Sequence, residues 1–241
     1  MAKPLATLVT GASNGIGAAI AKARAEAGEV VINLDRDAPS DGGRGRWIPV
    51  DLMDETALAD AMQDALSGND VVKVVNCAGV ALLDPIEDFA AEDFRRTMDL
   101  NVLAPALIVQ ACLPAMKEHR FGRILNIASR AALGKGLRTA YAGSKGALIS
   151  ATRVWALELA QHGITVNAIG PGPVETELFR HANPADSPVT QHMRGTIPVR
   201  RFGQPGDIAH AADYFLDDRA GFVTGQTLFV CGGLTIGSSP L

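Results

Sequence analysis

The chain has 241 residues, of which 47% are hydrophobic, and it carries a formal net charge of −4 with acidic and basic residues mixed throughout. A chain of this length can bury the core of a single α/β domain, and we expect one domain over residues 1–241. The absence of a basic stripe or a long run of like charges argues against nucleic-acid binding and against a disordered tail.

Three cysteines, Cys77, Cys112 and Cys231, are scattered along the chain without C-x-x-C spacing. We expect buried thiols in a reducing cytoplasm, with neither disulfide bonds nor a metal site. The N-terminal residues lead at once into the first predicted strand, so we expect no signal peptide. No uninterrupted apolar run reaches 18 residues, so we expect no membrane span and a cytoplasmic location.

The first predicted strand, Leu8–Thr10, runs into a turn that contains three glycines. The turn reads Gly11-Ala12-Ser13-Asn14-Gly15-Ile16-Gly17 and leads into a helix that starts at Ala18. Glycines let the backbone turn tightly and approach a ligand, and the helix N-terminus favours a negative charge. A purely structural turn is the alternative, but the order strand, turn, helix favours a site for the pyrophosphate of a dinucleotide.

The second predicted strand, Val30–Leu34, ends in an acidic residue, Asp35, about 20 residues after the middle glycine. An acidic side chain at this position accepts hydrogen bonds from the ribose of adenosine. Asp35 could instead be a solvated strand end, as could Asp37 nearby. The glycine turn and Asp35 in one βαβ unit together favour the dinucleotide site.

Strands and helices alternate almost to the end of the chain. In order, we expect a loop over 38–46, a strand over 47–50, a helix over 54–66 with Asp54 as its N-cap, a strand over 71–75, a helical pattern over 91–119, a strand over 123–127, a helix over 141–161, a strand over 165–169, a helix over 207–216 and a strand over 227–230. This order predicts a single-domain, Rossmann-like, doubly wound α/β sheet of about seven mostly parallel strands with helices on both faces.

Two segments depart from regular periodicity. Asn101 and Pro105 disfavour a regular helix in the middle of 91–119, so we expect a local kink there. Residues 174–204 have weak periodicity, and we interpret them as a long loop that acts as a substrate-binding lid.

Ligands of such sheets bind at the carboxyl ends of the strands. Besides the glycine turn and Asp35, these ends carry Asp51, Asn76–Gly79, Ser129 and Pro171–Pro173, which we expect to rim one cleft.

Tyr141 and Lys145 are four residues apart on a predicted helix and therefore share one face. The ordinary tyrosine pKa of about 10 is too high for a base at neutral pH, but a nearby ammonium lowers it. Tyr141 could then act as an acid/base, and Ser129 could hydrogen-bond the oxygen that changes charge. The alternatives are that the spacing of Tyr141 and Lys145 arises by chance and that Ser129 is an ordinary loop residue. The expected position of all three residues at one edge of the sheet favours catalysis.

At this point the chain resembles the short-chain dehydrogenase/reductase family over nearly its whole length. The family pattern T-G-x-x-x-G-x-G stands here as Thr10 to Gly17, and N-N-A-G stands as Asn76-Cys77-Ala78-Gly79, with a cysteine at the second position. Asn101, Ser129, Tyr141 and Lys145 match the family's catalytic asparagine, serine, tyrosine and lysine. Pro171-Gly172 matches its proline-glycine turn, and Val174 and Thr176 match positions that contact the nicotinamide carboxamide.

The resemblance implies a mechanism. Tyr141 exchanges a proton with the substrate oxygen while the nicotinamide exchanges a hydride with the carbon. Lys145 holds the nicotinamide ribose and lowers the Tyr141 pKa, helped by the positive charge of the oxidised cofactor. Ser129 orients the carbonyl or alcohol. The main chain of Asn101, at the kink, anchors a water in a proton relay behind Lys145.

The cofactor-binding residues expected from the motifs share the strand ends. They are Gly11, Ser13, Asn14, Gly15, Ile16, Gly17, Asp35, Arg36, Asp51, Leu52, Asn76, Ala78, Gly79, Tyr141, Lys145, Pro171, Gly172, Val174 and Thr176. Asp35 favours NAD, because a carboxylate bonds the 2′-hydroxyl and repels the 2′-phosphate of NADP. Arg36 could partner that phosphate and leaves NADP as the alternative. Asp51 approaches the adenine amino group if the resemblance holds.

The substrate is expected to be a small alcohol or ketone. Leu178 and Phe179 would supply apolar walls, and Arg130, Lys135 and Arg138 could attract an anionic group or be solvated loop charges. The chain also resembles 3-oxoacyl-acyl-carrier-protein reductases, which generally use NADPH, and this activity is the alternative to a secondary-alcohol dehydrogenase. A non-catalytic dinucleotide-binding sensor or structural subunit is the alternative from another class.

Family members usually pair through their two long helices, which implies a homodimer or homotetramer. We expect Leu148, Thr152 and Trp155 to form an outward apolar face on the second long helix that a partner covers. The alternative is that these side chains pack within the monomer.

Overall fold

The computed structural model describes residues 3–39 and 43–237. Residues 1–2, 40–42 and 238–241 lie outside the described residues, and with them the start of the N-terminal segment and the middle of the loop expected over 38–46. The described strands are β1 (Leu5–Thr10), β2 (Val30–Asp35), β3 (Arg46–Pro49), β4 (Asp70–Asn76), β5 (Gly122–Ile127), β6 (Ile164–Pro171) and β7 (Thr227–Val230). They form one sheet in the order β3-β2-β1-β4-β5-β6-β7, and every neighbouring pair is parallel.

The helices of the described residues alternate with the strands. They are α1 (Gly15–Glu26), α2 (Glu55–Ser67), α3 (Ala91–Met98), α4 (Ala104–Glu118), α5 (Thr139–Leu159), α6 (Glu177–Ala182), α7 (Pro188–Thr196) and α8 (Pro205–Leu216). A π-helical turn spans Asp99–Leu103, and 3-10 turns span Arg130–Leu133, Ala160–His162 and Asp218–Ala220.

Helices cover both faces of the sheet. One core cluster combines strand residues with side chains from α2, α4 and α5, such as Leu58, Ile108 and Ala156. The other combines strand residues with side chains from α1 and α8, such as Ile20 and Phe215. Every residue of β5 and β6 is buried, because parallel strands covered on both faces have no solvent side. The predicted doubly wound α/β sheet is confirmed.

Element boundaries differ from the predicted ones by a few residues. Helix α1 begins at Gly15 rather than Ala18, and α5 begins at Thr139 rather than Tyr141. The first helical turn needs no intrahelical partner for its N–H groups, so side-chain periodicity marks helix starts poorly. The predicted cap of α2 is confirmed, since the Asp54 carboxylate accepts hydrogen bonds from the amides of Thr56 and Ala57, both at 3.0 Å.

The helical pattern over 91–119 is interrupted at the predicted kink. Asn101 lies in the π-helical turn that separates α3 from α4, and Pro105 lies in the first turn of α4, where its missing N–H is tolerated. Among the described residues, the stretch Ala91–Glu118 is long and apolar enough by composition to cross a membrane. Within this fold α4 packs on β4, and Ile108, Cys112 and Met116 are fully buried.

The segment over 174–204 is not the continuous loop that its weak periodicity predicts. It contains α6, whose N-cap Thr176 accepts a hydrogen bond from the Phe179 amide at 3.2 Å, and α7, whose first turn contains Pro188. Both helices are shorter than three turns, so hydrophobic periodicity has too few repeats to reveal them.

The expected outward apolar face of α5 is wrong for two of its three residues. Leu148 and Thr152 are buried, and both lie on the side of the helix that faces the core; Trp155 is partly buried. The exposed apolar residues of this helix are Val154 and Leu157 instead. Spacing along the helix groups residues into faces, but only the position of the sheet decides which face is inside.

Candidate active site

The glycine turn is packed too tightly for side chains. Gly11 and Gly15 have positive φ angles of +68° and +56°, a region that L side chains rarely adopt. A Cβ on Gly11 would lie 2.9 Å from the Cα of Ala78, and one on Gly17 would lie 2.1 Å from the Gly11 carbonyl oxygen. The turn therefore presents backbone rather than side chains to the cleft.

The turn is anchored to the neighbouring strand end by Thr10, the residue before the first glycine. The Thr10 hydroxyl accepts hydrogen bonds from the amides of Cys77 and Ala78, both at 3.0 Å. These bonds bring the glycine turn and the Asn76–Gly79 turn to the same edge of the sheet. Asn76 itself is buried and donates from Nδ2 to Oδ1 of Asn126 at 2.8 Å.

Asn33, which was not among the predicted site residues, supports the turn from β2. Its Oδ1 accepts from the Ala12 amide and its Nδ2 donates to Oγ of Ser13, both at 3.0 Å. Asn33 is buried in a strand that is otherwise apolar up to Asp35. A lone amide in such a strand is the signal that could have found it, because a buried polar group requires partners.

Asp35 lies at the carboxyl end of β2 with its carboxylate held by backbone amides. Its Oδ2 accepts from the Ser13 amide at 3.0 Å and its Oδ1 from the Asp37 amide at 3.1 Å. Ser13 also donates from Oγ to the Asp37 carbonyl. The neighbouring Arg36 is exposed and directed to the Asp37 carboxylate at 3.4 Å, which raises the pKa of Arg36.

These residues fit a dinucleotide. The N-cap of α1, Asn14, makes no side-chain capping bond, and the first turn of α1 carries no acidic residue. Its N–H groups and helix dipole are thus suited to a phosphate. The turn has no side chains at Gly11, Gly15 and Gly17, which leaves room for the dinucleotide to approach the backbone closely. Asp51 is exposed, with its carboxylate accepting from the Met53 amide, and Leu52 beside it is buried.

On the other side of the cleft, the chain after β6 packs so closely against its neighbours that there is no space for a side chain on Gly172. A Cβ on Gly172 would lie 2.8 Å from the Cα of Cys231. Val174 pairs with Gly203 in an isolated bridge, and Pro171 ends β6. Thr176 faces the glycine turn, since a Cβ on Gly15 would lie 3.2 Å from its Cγ2.

The structure brings Ser129, Tyr141 and Lys145 together. The Ser129 side chain lies near enough to Tyr141 to lower the pKa of its phenol by hydrogen bonding, and the Lys145 Nζ lies 5.9 Å from the centre of the Tyr141 ring. Lys145 is buried and its Nζ donates to the Ile127 carbonyl at 2.8 Å. The end of β5 and the first turns of α5 thus place a hydroxyl pair and an ammonium in one group.

Burial, not the lysine, dominates the acidity of Tyr141. Burial raises the pKa of Tyr141 above its ordinary value, while the hydrogen bond from Ser129 and the charge of Arg138 lower it only in part. The expectation that Lys145 makes the Tyr141 pKa low is therefore wrong for the protein alone. Burial likewise lowers the pKa of Lys145 to about 8, because an ammonium loses solvation inside the protein.

Asn101 closes the rear of this group. Its Nδ2 donates to the Val80 carbonyl at 3.0 Å and to Oγ of Ser144 at 2.9 Å, and its Oδ1 accepts from the Val80 amide at 3.0 Å. A Cβ on Gly79 would lie 2.9 Å from this Oδ1 and 3.2 Å from the Lys145 Nζ. The Asn101 side chain is fully engaged, so a relay through Asn101 would use its main chain. Ser144 was not predicted.

The residues expected to contact substrate lie in two segments, α6 and the connection from β5 to α5. Phe179 packs edge-on against Phe202, with ring centres 5.0 Å apart. Leu178 lies in α6, and its side chain lies outside the described residues. Arg130 begins the 3-10 turn after Ser129, and Arg138 is the N-cap of α5. In the described part of the chain, no group of three or more His, Cys, Asp or Glu side chains is placed to hold a metal ion.

Known proteins similar to this chain identify its family. A family model described as Enoyl-(Acyl carrier protein) reductase matches residues 11–235. The chain is 34% identical to the NAD-dependent glycerol dehydrogenase of Listeria innocua over 95% of this chain and 93% of that protein. It is 33% identical to the (2S)-[(R)-hydroxy(phenyl)methyl]succinyl-CoA dehydrogenase subunit of Thauera aromatica, over 95% of this chain and 96% of that protein.

Solved structures give the same result. A blue fluorescent protein from a metagenomic library, solved in complex with NADPH, superposes with a TM-score of 0.86 and is 33% identical, covering 96% of this chain and 97% of that one. Sequence and fold thus agree over nearly the full length. The chain belongs to the short-chain dehydrogenase/reductase family of NAD(P)-dependent oxidoreductases.

Proposed function

We propose that this protein is an NAD-preferring dehydrogenase that interconverts a secondary alcohol and its ketone, with Tyr141 as the acid/base. The observation that carries the cofactor preference is the carboxylate of Asp35, fixed at the end of β2 by the amides of Ser13 and Asp37. A carboxylate held there bonds the 2′-hydroxyl of NAD and repels the 2′-phosphate of NADP.

Arg36 is the feature that would favour NADP, and its environment argues against that role. Its guanidinium is directed to Asp37 at 3.4 Å, so a phosphate would have to compete with a carboxylate for it. Both side chains are exposed, and exposed ion pairs contribute little to stability. The fixed charge of Asp35 therefore matters more to the preference than the pairing of Arg36.

The reaction follows from the group around Tyr141. The chemistry that a nicotinamide cofactor would supply here is hydride transfer to or from the carbon that bears the oxygen. The Tyr141 hydroxyl gives the proton to that oxygen in reduction and removes it in oxidation, while Ser129 hydrogen-bonds the same oxygen. Lys145 holds the cofactor ribose and adds positive charge near the phenol. Asn101 holds the loop of Val80 and Gly79 against the lysine.

The test is an equilibrium titration with NADH and separately with NADPH, read by reduced-nicotinamide fluorescence. We expect NADH to bind at least about tenfold more tightly than NADPH. Asp35 would make a charged hydrogen bond to the 2′-hydroxyl of NADH but would repel the 2′-phosphate of NADPH. Tighter binding of NADPH would reverse the preference and favour the alternative, an acyl-carrier-protein reductase. Binding of neither would remove the basis for the proposed function.

The proposal extends to assembly and location. A groove of about 300 Å³ between α4 and α5 is lined by Leu107, Leu113 and Trp155 among others, and Leu157, also on α5, is 84% exposed. We infer that a second copy covers this surface, giving a homodimer or homotetramer that light scattering would detect.

The proposed location is the cytoplasm. Cys77 and Cys112 are free thiols whose pKa values burial raises to about 12, and such thiols suit a reducing compartment. Cell fractionation would test the location.

A further inference from the structure

The connection between β5 and α5 carries three basic residues next to the reacting groups. Arg130 directly follows Ser129, and Arg138 is the N-cap of the helix that bears Tyr141. Lys135 lies between them, and all three side chains are partly buried. Among the residues that the structure describes, none of the three has a carboxylate within ion-pair distance.

Two other cations with little exposed surface, Lys73 and Arg24, have carboxylate partners. Lys73 contacts Glu29 at 2.9 Å and Asp218 at 3.0 Å. Arg24 contacts Glu29 at 3.3 Å and also Asp213. Partly buried charges normally require polar partners, because the protein replaces only part of the water that solvated them. The buried Arg123 and Lys145 meet this need through backbone carbonyls. In the described part of the β5–α5 connection, Arg130 and Lys135 have no hydrogen-bond acceptor, and Arg138 has one.

The backbone of the connection brings the cations together. A 3-10 turn starts at Arg130, and Gly134 and Leu137 have positive φ angles of +106° and +61°. A positive φ at a leucine is strained, and strained backbone is found most often at functional sites. The charges repel one another: Arg138 and Arg130 both lower the pKa of Lys135, after burial, and Arg130 lowers that of Arg138.

Arg138 is the member of the cluster that lies next to the reacting groups. Arg138 lies close enough to Tyr141 to stabilise its phenolate electrostatically. Its Nη1 donates one hydrogen bond, to the Gly136 carbonyl at 3.0 Å, which leaves further guanidinium donors for a ligand. Arginine forks match the paired oxygens of carboxylates, phosphates and sulfonates.

We propose that Arg130, Lys135 and Arg138 form an anion subsite for the substrate, so that the alcohol oxidised here carries a carboxylate, phosphate or sulfonate group. The subsite rests on the proposed function, since it places the anionic group beside the hydroxyl that Tyr141 deprotonates. An anion there neutralises a cluster that no described carboxylate of the chain neutralises.

The test is anion binding to the full chain, with and without saturating NADH, at constant ionic strength adjusted with sodium chloride. Sulfate, phosphate and acetate are titrated separately by isothermal calorimetry and by the shift in Tm. NADH occupies the glycine turn, so binding that survives NADH lies elsewhere. The variant is R130Q/R138Q, and R95Q/R96Q, which removes two exposed cations from α3, is the control of equal charge.

We expect saturable anion binding in the wild type and in R95Q/R96Q, and binding about tenfold weaker or worse in R130Q/R138Q, because two charge-assisted contacts are lost. Binding of both acetate and sulfate indicates that the substrate is a hydroxy acid. A preference for sulfate and phosphate over acetate indicates a phosphorylated or sulfonated alcohol. No saturable binding in the wild type, or equal binding in both variants, would overturn the subsite. NADH binding distinguishes this failure from failure of the proposed function, and NADH affinity equal to wild type shows that R130Q/R138Q is folded.

Discussion

The Nζ of Lys145 lies 5.9 Å from the centre of the Tyr141 ring and is fixed there by a hydrogen bond to the Ile127 carbonyl at 2.8 Å. One turn of α5 separates the two side chains in sequence, and the end of β5 supplies the carbonyl that sets the distance between them. The ammonium is therefore a fixed part of the cleft wall rather than a freely rotating side chain.

Tyr141→Phe should leave NADH binding near the wild-type value and lower kcat by about 10²–10⁴-fold, since it removes only the hydroxyl that transfers the proton. The chain has two tyrosines, so Tyr214→Phe, at an exposed position of α8, is the matched control. Steady-state NADH formation and fluorescence titration measure the two effects. Turnover in Tyr141→Phe close to that of Tyr214→Phe would show that Tyr141 is not the acid/base.

The phenol of Tyr141 should ionise above the ordinary tyrosine pKa in the protein without cofactor, because burial outweighs the hydrogen bond from Ser129. Ultraviolet absorbance against pH in Tyr214→Phe reports Tyr141 alone. Ser129→Ala, made in that background, should raise the pKa further, since the hydrogen bond lowers it. The acidic limb of the oxidation rate should then move to higher pH, because oxidation needs the phenolate. A Tyr141 pKa below the ordinary value would contradict this account.

Lys145→Met should change how stability depends on pH. Burial lowers the pKa of Lys145 from 10.5 to about 8, so between these values the unfolded chain binds more protons than the folded protein. The free energy of unfolding of the wild type should therefore rise across this range relative to Lys145→Met, and the cost of the buried charge is fully present below about pH 8. Denaturant titrations at several pH values measure the free energy of unfolding of both proteins. Lys22→Met, at an exposed position, is the control. A constant difference between wild type and Lys145→Met would argue against the lowered pKa.

Asp35→Ala should weaken NADH binding by about tenfold or more, because the ribose loses a charged acceptor. It should also reduce the difference in affinity between NADH and NADPH, because the carboxylate no longer repels the 2′-phosphate. Asp37→Ala should act differently, leaving NADH binding nearly unchanged and strengthening NADPH binding a little, since it frees Arg36. Asp60→Ala, on the exposed side of α2, is the control. Equal NADH affinity in Asp35→Ala and Asp60→Ala would show that Asp35 does not contact the ribose.

Gly79→Ala should reduce kcat by about 100-fold with the fold retained, since small displacements of reacting groups have effects of this size. The new Cβ would lie 2.9 Å from Oδ1 of Asn101 and 3.2 Å from Nζ of Lys145. Gly206→Ala meets nothing within 4 Å and is the control. Circular dichroism and Tm establish folding, and kcat of the two variants gives the answer. Equal kcat values would mean that the site tolerates displacement of Asn101 and Lys145.

The sequence alone determined the features that depend on neighbours along the chain. The glycine turn, Asp35 at the end of its strand and the spacing of Tyr141 and Lys145 are local patterns, and local geometry follows from them. The alternation of strands and helices fixed the parallel sheet, and a parallel sheet brings its strand ends to one edge. The kink at Asn101 was also predictable, because asparagine and a following proline disfavour a regular helix.

The tertiary structure decided what depends on distant contacts. Asn33 and Ser144 contact the site across about 20 and 40 positions of the chain, so no local pattern marks them. The inward position of Leu148 depends on where the sheet lies, which helical periodicity does not contain. The raised pKa of Tyr141 results from burial by segments far apart in sequence, whereas its spacing from Lys145 predicted the opposite sign. Sequence therefore determined which groups are present, and packing determined their solvation and partners.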